Sequence, residues 1–333
     1  MPKPAISVIL PFYNAETTLG EAVRSIIRQS WENWELLLFD DGSTDGSPQI
    51  AEELAAEDTR IRILTSLHVG LVEALRCCCG AARGDLLARM DADDVAHADR
   101  LGAQAAYMHD APDVALSGTL VRMVGDAIGP GRRRYERWVN NVIHHDEIVR
   151  DLFIECPIAH PTFMMRRDAF EEVGGYEDCA WAEDYDLCMR FFVRGARFGK
   201  VGQVLLDWRE SGGRLSMTDP RYSPEAFRAL KRYSLFKTYL AGGRTFYQWG
   251  AGEVGKIWLR DWTEDRPVAV VDVNPRKIGR KIHGFDVIAA EELPGPGEAF
   301  TLIAVGAPGA RTEIREWFSA RGYAELSDFL FIA

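Results

Sequence analysis

The feature that most restricts the fold of this sequence is a regular alternation of strand-like and helix-like segments over residues 5–90. Short β-branched apolar runs predict strands, and longer segments with apolar residues at helical spacing predict the helices between them. The predicted strands are residues 5–11, 34–39, 61–64 and 85–90, and the predicted helices are residues 18–29, 47–57 and 71–82. This order predicts an α/β fold with a parallel, doubly wound sheet. Ligands bind such sheets beyond the carboxyl ends of the strands, so functional residues are expected there.

The length of the chain predicts two domains, because its 333 residues are about twice the ~150 typical of one domain. An amphipathic helix is predicted over residues 224–240, and Gly242 and Gly243 end it. We therefore expect a first domain over residues 1–220, a helical linker over 221–243 and a smaller α/β domain over 244–333.

The charge of the chain argues against a nucleic-acid partner. Fifty acidic and 39 basic residues give a formal net charge of −11, and no long stripe of lysine and arginine offsets it. No segment reaches the roughly 18 consecutive apolar residues of a membrane span, so any membrane association is expected to be peripheral. The first residues lack the apolar run of a signal peptide. This predicts a cytoplasmic protein, with the inner face of the membrane as the alternative.

Acidic residues follow two of the predicted strands. Asp40 and Asp41 follow the second strand, and Asp91 and Asp93 follow the fourth. Side chains two residues apart point to the same side of an extended chain, so Asp91 and Asp93 can share one cation. Oxygen ligands favour Mg²⁺ or Mn²⁺, and magnesium completes its shell with water and phosphates, which predicts a diphosphate ligand. The alternative is that these acids only form turns or caps.

A second pair of acids, Glu183 and Asp184, precedes a predicted helix. Acids in the first turn of a helix commonly stabilise its dipole, which is the structural interpretation. The functional interpretation is that Asp184 takes the proton of an acceptor hydroxyl, because such a hydroxyl needs a positioned base as it attacks.

Four segments occur in a characteristic order: SVILPFYN, DDGSTDGS, ARGDLLARMDADD and GGYEDCAWAEDYDL. Together they resemble the family 2 nucleotide-sugar glycosyltransferases over about residues 5–220. The resemblance implies a GT-A type fold with a doubly wound mixed sheet. It implies a metal-dependent, inverting enzyme of the hexosyltransferase type that takes a sugar from a nucleoside-diphosphate sugar, with a UDP-sugar expected first. The acceptor would be a hydroxyl of a glycan or lipid-linked molecule, in the synthesis of cell-surface or exported glycans.

The resemblance also implies roles for individual residues. Asp93 is the preferred metal ligand, with Asp91 beside it, and Asp184 is the general base, with Glu183 as its neighbour. The residues expected around the donor nucleotide are Pro11, Tyr13, Asn14, Asp40, Asp41, Arg83, Asp91 and Ala92, with Asp41 preferred to Asp40 for the base. The residues expected to clamp the diphosphate are Arg209, Arg214 and Ser216, and those expected on the acceptor side are His160 and Trp181.

The sequence departs from the family pattern at two places. Ser211 stands where a histidine is frequent, and Arg76 with Cys77 stands where many members carry asparagine. These departures put contacts to the donor in doubt, and they keep open the hypothesis of an inactive nucleotide-sugar-binding scaffold.

Two further segments lead to weaker expectations. Residues 131–134, with three consecutive arginines, are predicted to form a solvated basic loop. The alternative is a contact with an anionic lipid or a polyprenyl phosphate acceptor. Residues 156–186 are rich in turn-forming and aromatic residues and are predicted to form a mobile region that faces the substrate.

Near the carboxyl terminus, Gly250, Gly252 and Gly255 form a G-x-G-x-x-G motif after a predicted strand, and Asp272 ends the next strand. This context suits phosphate binding and resembles small Rossmann-like domains that bind a nucleotide or nucleotide-sugar. A structural role, or one in forming a homo-oligomer, is the alternative. An NAD(P)-linked oxidoreductase centred on this domain is a rival hypothesis for the whole chain, although no set of His, Lys and Tyr residues for hydride chemistry accompanies the motif.

Overall fold

The structure is a computed structural model that describes residues 3–125, 128–210, 218–307 and 309–333. The chain divides into two compact units, residues 1–148 with 157–223 and residues 149–156 with 224–333. These limits differ from the predicted ones, because the expected linker helix and a short segment before residue 157 both belong to the second unit.

A buried lysine explains why residues 149–156 belong with the second unit. The Nζ atom of Lys231 donates hydrogen bonds to the carbonyls of Ile154 at 2.7 Å and Ile332 at 3.3 Å. The ring of Phe153 also packs edge-on against Tyr239, with centroids 5.8 Å apart. A buried ammonium group needs such partners, so this segment is held in the second unit.

The strands and helices of the first unit are numbered in chain order. Its strands are β1 Ile6–Phe12, β2 Trp34–Asp40, β3 Ile61–Thr65, β4 Leu86–Arg89, β5 Val95–Ala96, β6 Val114–Val124, β7 Met164–Arg166 and β8 Arg197–Arg209. Its helices are α1 Leu19–Ile27, α2 Ser47–Glu57, α3 Leu71–Ala81, α4 Arg100–Asp110, α5 Pro130–Asn141, α6 His145–Asp151, which runs into the second unit, α7 Arg167–Glu172 and α8 Glu183–Val193, with 3-10 turns at His160–Thr162 and Pro220–Tyr222.

The first unit is built on an eight-stranded sheet with the order β3-β2-β1-β4-β7-β6-β8-β5. β1 lies parallel between β2 and β4, with Ile6 opposite both Trp34 and Leu86. β7 runs antiparallel to β4 and β6, and β5 runs antiparallel to β8. All residues of β1 and β2 are buried, as expected of strands covered on both faces. The predicted α/β class with a mixed sheet is confirmed.

The carboxyl ends of β1, β2, β4 and β6 lie at one edge of this sheet. Phe12 at the end of β1 pairs with Asp40 at the end of β2. β4 ends two residues before Asp91. β6 points the same way as β4, because both are antiparallel to β7. The acidic segments that follow β2 and β4 therefore meet at this edge.

Two expectations about the first unit are wrong. Residues 131–134 lie in helix α5 instead of a loop, because Pro130 starts the helix and Asn140 exchanges hydrogen bonds of 2.9 and 2.7 Å with the backbone of Val121. The region 156–186, expected to be mobile, contains β7 in the middle of the sheet. Its apolar side chains are needed for the core.

The second unit contains a six-stranded sheet with the order β11-β12-β10-β9-β13-β14. Its strands are β9 Phe246–Trp249, β10 Val270–Val271, β11 Lys281–Ile282, β12 Phe285–Ile288, β13 Phe300–Ile303 and β14 Phe329–Phe331, and its helices are α9 Pro224–Lys237, α10 Glu253–Asp261 and α11 Ala310–Ser319, with 3-10 turns at Ala241–Gly243 and Ala290–Glu292. Five neighbouring strands of this sheet, in the spatial order β12-β10-β9-β13-β14, are parallel. This is the strand order of open dinucleotide-binding sheets. In the chain, β10 is followed by β11, which forms a short antiparallel hairpin with β12, and not by a helix. In the part of the chain that the structure describes, no helix is both long and apolar enough to cross a bilayer.

Candidate active site

Three carboxylates converge just after β4. One oxygen from each of Asp91, Asp93 and Asp94 lies within 4.8 Å of the other two. Asp91 and Asp93 are half-buried, whereas Asp94 is fully buried and accepts a 2.7 Å hydrogen bond from the backbone N–H of Arg209. This donor set of carboxylate oxygens suits Mg²⁺ or Mn²⁺. Sequence reasoning selected Asp91 and Asp93 and missed Asp94, although two adjacent acids at the end of DADD were a visible signal.

Two buried arginines lie close to this acid cluster. Arg89 donates a 2.6 Å hydrogen bond to Asp91 and another to the carbonyl of Met90. Arg100 donates a 2.6 Å hydrogen bond to the carbonyl of Arg89. Burial alone would lower the pKa of Arg89, but the charges of Asp91, Tyr176 and Glu183 outweigh it and raise the pKa. Burial lowers the pKa of Arg100 to about 10, so both side chains carry a charge at pH 7.

The first residue of α8, Glu183, lies inside a buried polar network. Its side chain accepts a 2.6 Å hydrogen bond from the hydroxyl of Tyr222. Its other oxygen lies 3.7 Å from Nδ1 of His160, and Nε2 of that histidine lies 2.8 Å from the hydroxyl of Tyr176. Burial raises the pKa of Glu183, against the hydrogen bond from Tyr222, which lowers it. Asp184, the next residue, is half-buried and so lies nearer to solvent than Glu183.

The two residues expected on the acceptor side have different surroundings. His160 is buried in the 3-10 turn after residue 159, and burial, reinforced by the charge of Arg89, lowers its pKa well below the usual range. It is therefore neutral at pH 7 and is turned toward Tyr176 and Glu183. Trp181 is half-buried, and its indole N–H donates a 2.8 Å hydrogen bond to Asp186. Only the tryptophan has part of its surface available to a sugar.

The loop after β1 contains the residues expected around the nucleoside. Pro11 is buried in the strand. Tyr13 is 46% exposed, and its ring stacks on that of His68, with centroids 4.1 Å apart. Asn14 has a positive φ of 50°, and its side chain accepts a 2.8 Å hydrogen bond from the N–H of Thr44. Asn14 therefore joins the loops that follow β1 and β2.

The two acids at the carboxyl end of β2, Asp40 as its last residue and Asp41 just after it, are buried and bonded to backbone groups. Asp41 accepts hydrogen bonds from the N–H groups of Val69 at 2.6 Å and Gly70 at 3.0 Å. The Nδ1 atom of His68 lies 2.9 Å from the same carboxylate. Asp40 accepts a 2.9 Å hydrogen bond from the N–H of Ser43. His68 was missed by sequence reasoning, because nothing in a single sequence links a histidine after β3 to Tyr13 and Asp41.

Arg83 does not lie at this edge of the sheet. Its guanidinium binds Glu35, with Nε 2.8 Å from the carboxylate, and its backbone N–H donates a 3.1 Å hydrogen bond to Ser7. Ser7 and Glu35 stand near the beginnings of β1 and β2, about 17 Å from the carboxyl ends at ~3.3 Å per residue. Glu35 thus holds Arg83 at the opposite edge of the sheet, away from the other residues expected around the donor.

The remaining expected residues are only partly described. Ala92 is half-buried and lies in the chain between Asp91 and Asp93. The backbone of Arg209 contacts Asp94, while its guanidinium lies 2.8 Å from Glu21 of α1. Arg214 and Ser216 lie outside the described residues, as does Ser211. Arg76, on α3, is exposed and lies 3.5 Å from Glu73.

In the second unit, the side chain of Asp272 is used within the glycine loop. It accepts a 3.1 Å hydrogen bond from the N–H of Ala251 and lies 2.8 Å from Nζ of Lys277. Gly250 has a positive φ of 116°, and a Cβ on Gly255 would lie 2.0 Å from the carbonyl oxygen of Gly250. Gly252 has open space around it. Two of the three glycines are thus required by close backbone packing, without any ligand.

Comparison with known proteins identifies the family. The family described as Glycosyl transferase family 2 matches residues 7–174. EpsE of Bacillus subtilis (strain 168), which bears the name of a glycosyltransferase, is 33% identical over 241 residues, covering 70% of this chain and 84% of EpsE. An uncharacterized glycosyltransferase of Haemophilus influenzae is 29% identical over 242 residues, covering 70% of this chain and 73% of the relative. Nothing in these relatives favours the oxidoreductase hypothesis.

Solved structures agree on the fold. The structure of S. aureus TarS residues 1–349 in complex with UDP-GlcNAc superimposes with a TM-score of 0.58 at 19% identity, covering 71% of this chain and 67% of that chain. The mannosyltransferase PcManGT from Pyrobaculum calidifontis, in complex with GDP-Man and Mn²⁺, gives a TM-score of 0.53 at 18% identity, covering 71% and 70%. With its mixed sheet and its acids at the carboxyl edge, the chain belongs to glycosyl transferase family 2 and is a nucleotide-sugar glycosyltransferase with a GT-A type fold.

Proposed function

We propose that this protein is a metal-dependent, inverting glycosyltransferase that moves a sugar from a UDP-sugar to an acceptor hydroxyl during synthesis of a cell-surface or exported glycan. It would act in the cytoplasm or at the inner face of the membrane. The observation that carries the proposal is the convergence of Asp91, Asp93 and Asp94 at the carboxyl edge of the sheet. This is where open α/β sheets bind their ligands.

The acid cluster fits a divalent cation of the Mg²⁺ or Mn²⁺ type. Asp93 and Asp91 would hold it, and the buried Asp94 would either complete the set or orient the others. When bound, such a cation neutralises the charge that grows on a departing diphosphate. Arg209 is the described candidate for a clamp on that diphosphate, because its backbone already contacts Asp94 and its side chain is 28% exposed. Arg214 and Ser216 are proposed to join it.

The donor base is proposed to lie against Tyr13, beside Asn14 and the acids after β2. Tyr13 offers a half-exposed ring at the correct edge of the sheet. Asp41 is preferred to Asp40 as the base contact, because it also holds His68 against Tyr13. UDP is the first choice of donor because TarS was solved with UDP-GlcNAc, and GDP is the alternative because PcManGT was solved with GDP-Man.

Asp184 is proposed as the general base. Its half-buried position supports this role, whereas Glu183 is buried and bonded to Tyr222. A base must reach the proton that it takes, so the more accessible acid is favoured. Asp184 would take the proton of the acceptor hydroxyl as its oxygen attacks the anomeric carbon on the face opposite the leaving diphosphate. One displacement of this kind inverts the configuration. Trp181 would support a sugar ring at the acceptor side.

The test is titration calorimetry of the full chain with UDP, GDP and dTDP, with and without Mn²⁺. We expect binding of one nucleotide that depends on Mn²⁺ and is lost in Asp93→Asn. Asp110→Asn serves as the matched control, because Asp110 is an exposed acid at the end of α4. The stereochemistry of the product, followed by NMR, tests inversion. Nucleotide binding that ignores both Mn²⁺ and Asp93→Asn would overturn the proposed site.

A further inference from the structure

Helix α5 carries a set of arginines that the proposed reaction does not use. Arg133, Arg134 and Arg137 are exposed, and at three and four residues apart they share one side of the helix. We call these three residues the arginine face. Arg133 pairs with Glu136 at 2.8 Å, but no ion pair to Arg134 or Arg137 occurs among the described residues. Such a concentration of positive charge is unusual in a chain with a net charge of −11.

The flank of α5 that carries Glu136 and Asn140 is held against β6, and Arg133, which lies next to that flank, donates a 3.2 Å hydrogen bond to the carbonyl of Met123. Asn140 exchanges two hydrogen bonds with the backbone of Val121, and Glu136 accepts a 3.1 Å hydrogen bond from the N–H of Met123. The helix is therefore fixed by backbone contacts along its length, and its outer arginines are presented in a constant place.

The first turn of α5 lies beside the acid cluster. Arg132 forms an ion pair with Glu210, and its guanidinium lies 5.6 Å from the ring of Trp208. Arg209 lies between Trp208 and Glu210 in the sequence, and its backbone N–H donates a hydrogen bond to Asp94. Glu210 also donates its N–H to the carbonyl of Val124 at the carboxyl end of β6, at 2.8 Å. The arginine face thus begins at the same edge of the sheet as the acid cluster, within one helical turn of Arg132.

The chemistry of the face points to an anionic polymer and not to a membrane. Surface helices that bind membranes bury an apolar side along with their cationic one. The aromatic residues of α5, Tyr135 and Trp138, are half-buried, with ring centroids 5.6 Å apart and Tyr135 6.2 Å from Trp208. None of the exposed large apolar side chains lies on α5 among the described residues.

We propose that the arginine face binds phosphate or carboxylate groups of an anionic glycan acceptor and so guides its terminal hydroxyl toward the acid cluster. The inference rests on the proposed function, since it names the class of acceptor for the same site. Guanidinium groups suit both anions, because they offer a planar pair of donors to two oxygens.

The test uses the full chain and four defined probes. These are carboxymethyl-dextran, uncharged dextran of the same length, and vesicles of phosphatidylcholine with and without 30% phosphatidylglycerol. The variant is Arg134→Gln/Arg137→Gln. The matched control is Lys256→Gln/Arg260→Gln, which removes the same charge from two exposed residues on α10.

We expect carboxymethyl-dextran to bind the native protein and uncharged dextran to bind at least ten-fold more weakly. The α5 variant should lose about ten-fold in affinity for carboxymethyl-dextran, the control variant should lose less than two-fold, and 0.5 M NaCl should reduce the difference. Equal losses in the two variants, or no preference for the charged dextran, would overturn the proposal. So would a preference for anionic vesicles over the charged dextran that depends on Arg134 and Arg137.

Titration with UDP and Mn²⁺ on the same proteins separates this inference from the proposed function. The α5 variant should bind UDP as the native protein does, because the arginine face is not assigned to the donor. If native protein binds no nucleotide with Mn²⁺, the proposed function fails, whatever the dextrans do. If nucleotide binding is normal but the α5 variant binds the charged dextran unchanged, only the acceptor inference fails.

Discussion

The guanidinium of Arg89 lies 2.6 Å from the carboxylate of Asp91, and this fully buried cation also acts electrostatically on Glu183 and His160. One charge therefore faces both the acid cluster and the polar network at the start of α8. The two groups come from distant parts of the chain, and Arg89 interacts with both of them.

We expect Arg89→Met to weaken Mn²⁺ binding and donor turnover by about 10- to 100-fold, as for other partners that orient a metal ligand. Arg89→Lys should lose less, because it keeps the charge but not the planar pair of donors. Titration with Mn²⁺ and turnover of the donor measure both effects. Arg166→Met is the control, since Arg166 binds backbone carbonyls, such as that of Val114 at 2.9 Å. If the control loses as much Mn²⁺ affinity as Arg89→Met at equal melting temperature, the role of Arg89 is only structural.

The stacked pair of Tyr13 and His68 predicts a second effect. A base that stacks on an aromatic ring gains about 1–3 kcal/mol, so Tyr13→Ala should weaken UDP binding by roughly ten-fold or more without changing the dependence on Mn²⁺. His68→Ala should have a smaller effect, because it removes the ring behind Tyr13 and a contact to Asp41 but leaves both of those side chains in place. Trp31→Ala, at a residue that is 40% exposed, is the control for loss of a surface aromatic. Unchanged UDP affinity in Tyr13→Ala would remove this residue from the donor site.

The buried His160 predicts a pH dependence of stability. Its pKa is well below the usual value because of burial and Arg89, so the unfolded chain binds a proton near pH 6 that the folded chain does not. The free energy of unfolding should therefore fall as the pH drops below about 6.5, by up to about 1.4 kcal/mol per pH unit from this residue.

Urea unfolding of native protein and His160→Gln at pH 5, 6, 7 and 8 checks this sign. The difference between the two should be constant above pH 7 and should shrink as the pH falls to 5. His109→Gln, at an exposed residue on α4, is the control for the loss of a histidine from the surface. A constant difference for His160→Gln would mean that His160 has an ordinary pKa in the folded protein.

The glycine loop of the second unit predicts a contrast between two alanine variants. Gly255→Ala would place a Cβ 2.0 Å from the carbonyl oxygen of Gly250 and should destabilise the protein by about 1–3 kcal/mol. Gly252→Ala meets no atom within 4 Å and has a φ of −79°, so the loss should be limited to the ~1 kcal/mol or less by which alanine is poorer than glycine at a helix N-cap. Differential scanning calorimetry measures both. Equal stability of the two variants would contradict the packing described for Gly255.

Local patterns in the sequence predicted four of the eight strands of the first sheet, β1 to β4. The predicted helix over residues 47–57 has the same limits as the observed α2. The predicted limits of β1, β2 and β4 each lie within one residue of the observed limits. Strands covered on both faces have long apolar runs, and the acids that follow them end those runs clearly. Asp91 and Asp93 could be selected because they directly follow a predicted strand, although the structure places them in the turn after β4 and not on an extended strand.

Contacts between distant segments could not be predicted in this way. The tertiary structure decided that Glu35 holds Arg83 at the far edge of the sheet, that Asp94 joins the acid cluster, and that Tyr222 binds Glu183. It also placed residues 131–134 in a helix against β6. A single sequence records the preference of each short segment. Which side chains meet across the sheet depends on strand order and register, and these are set by the packing of the whole unit.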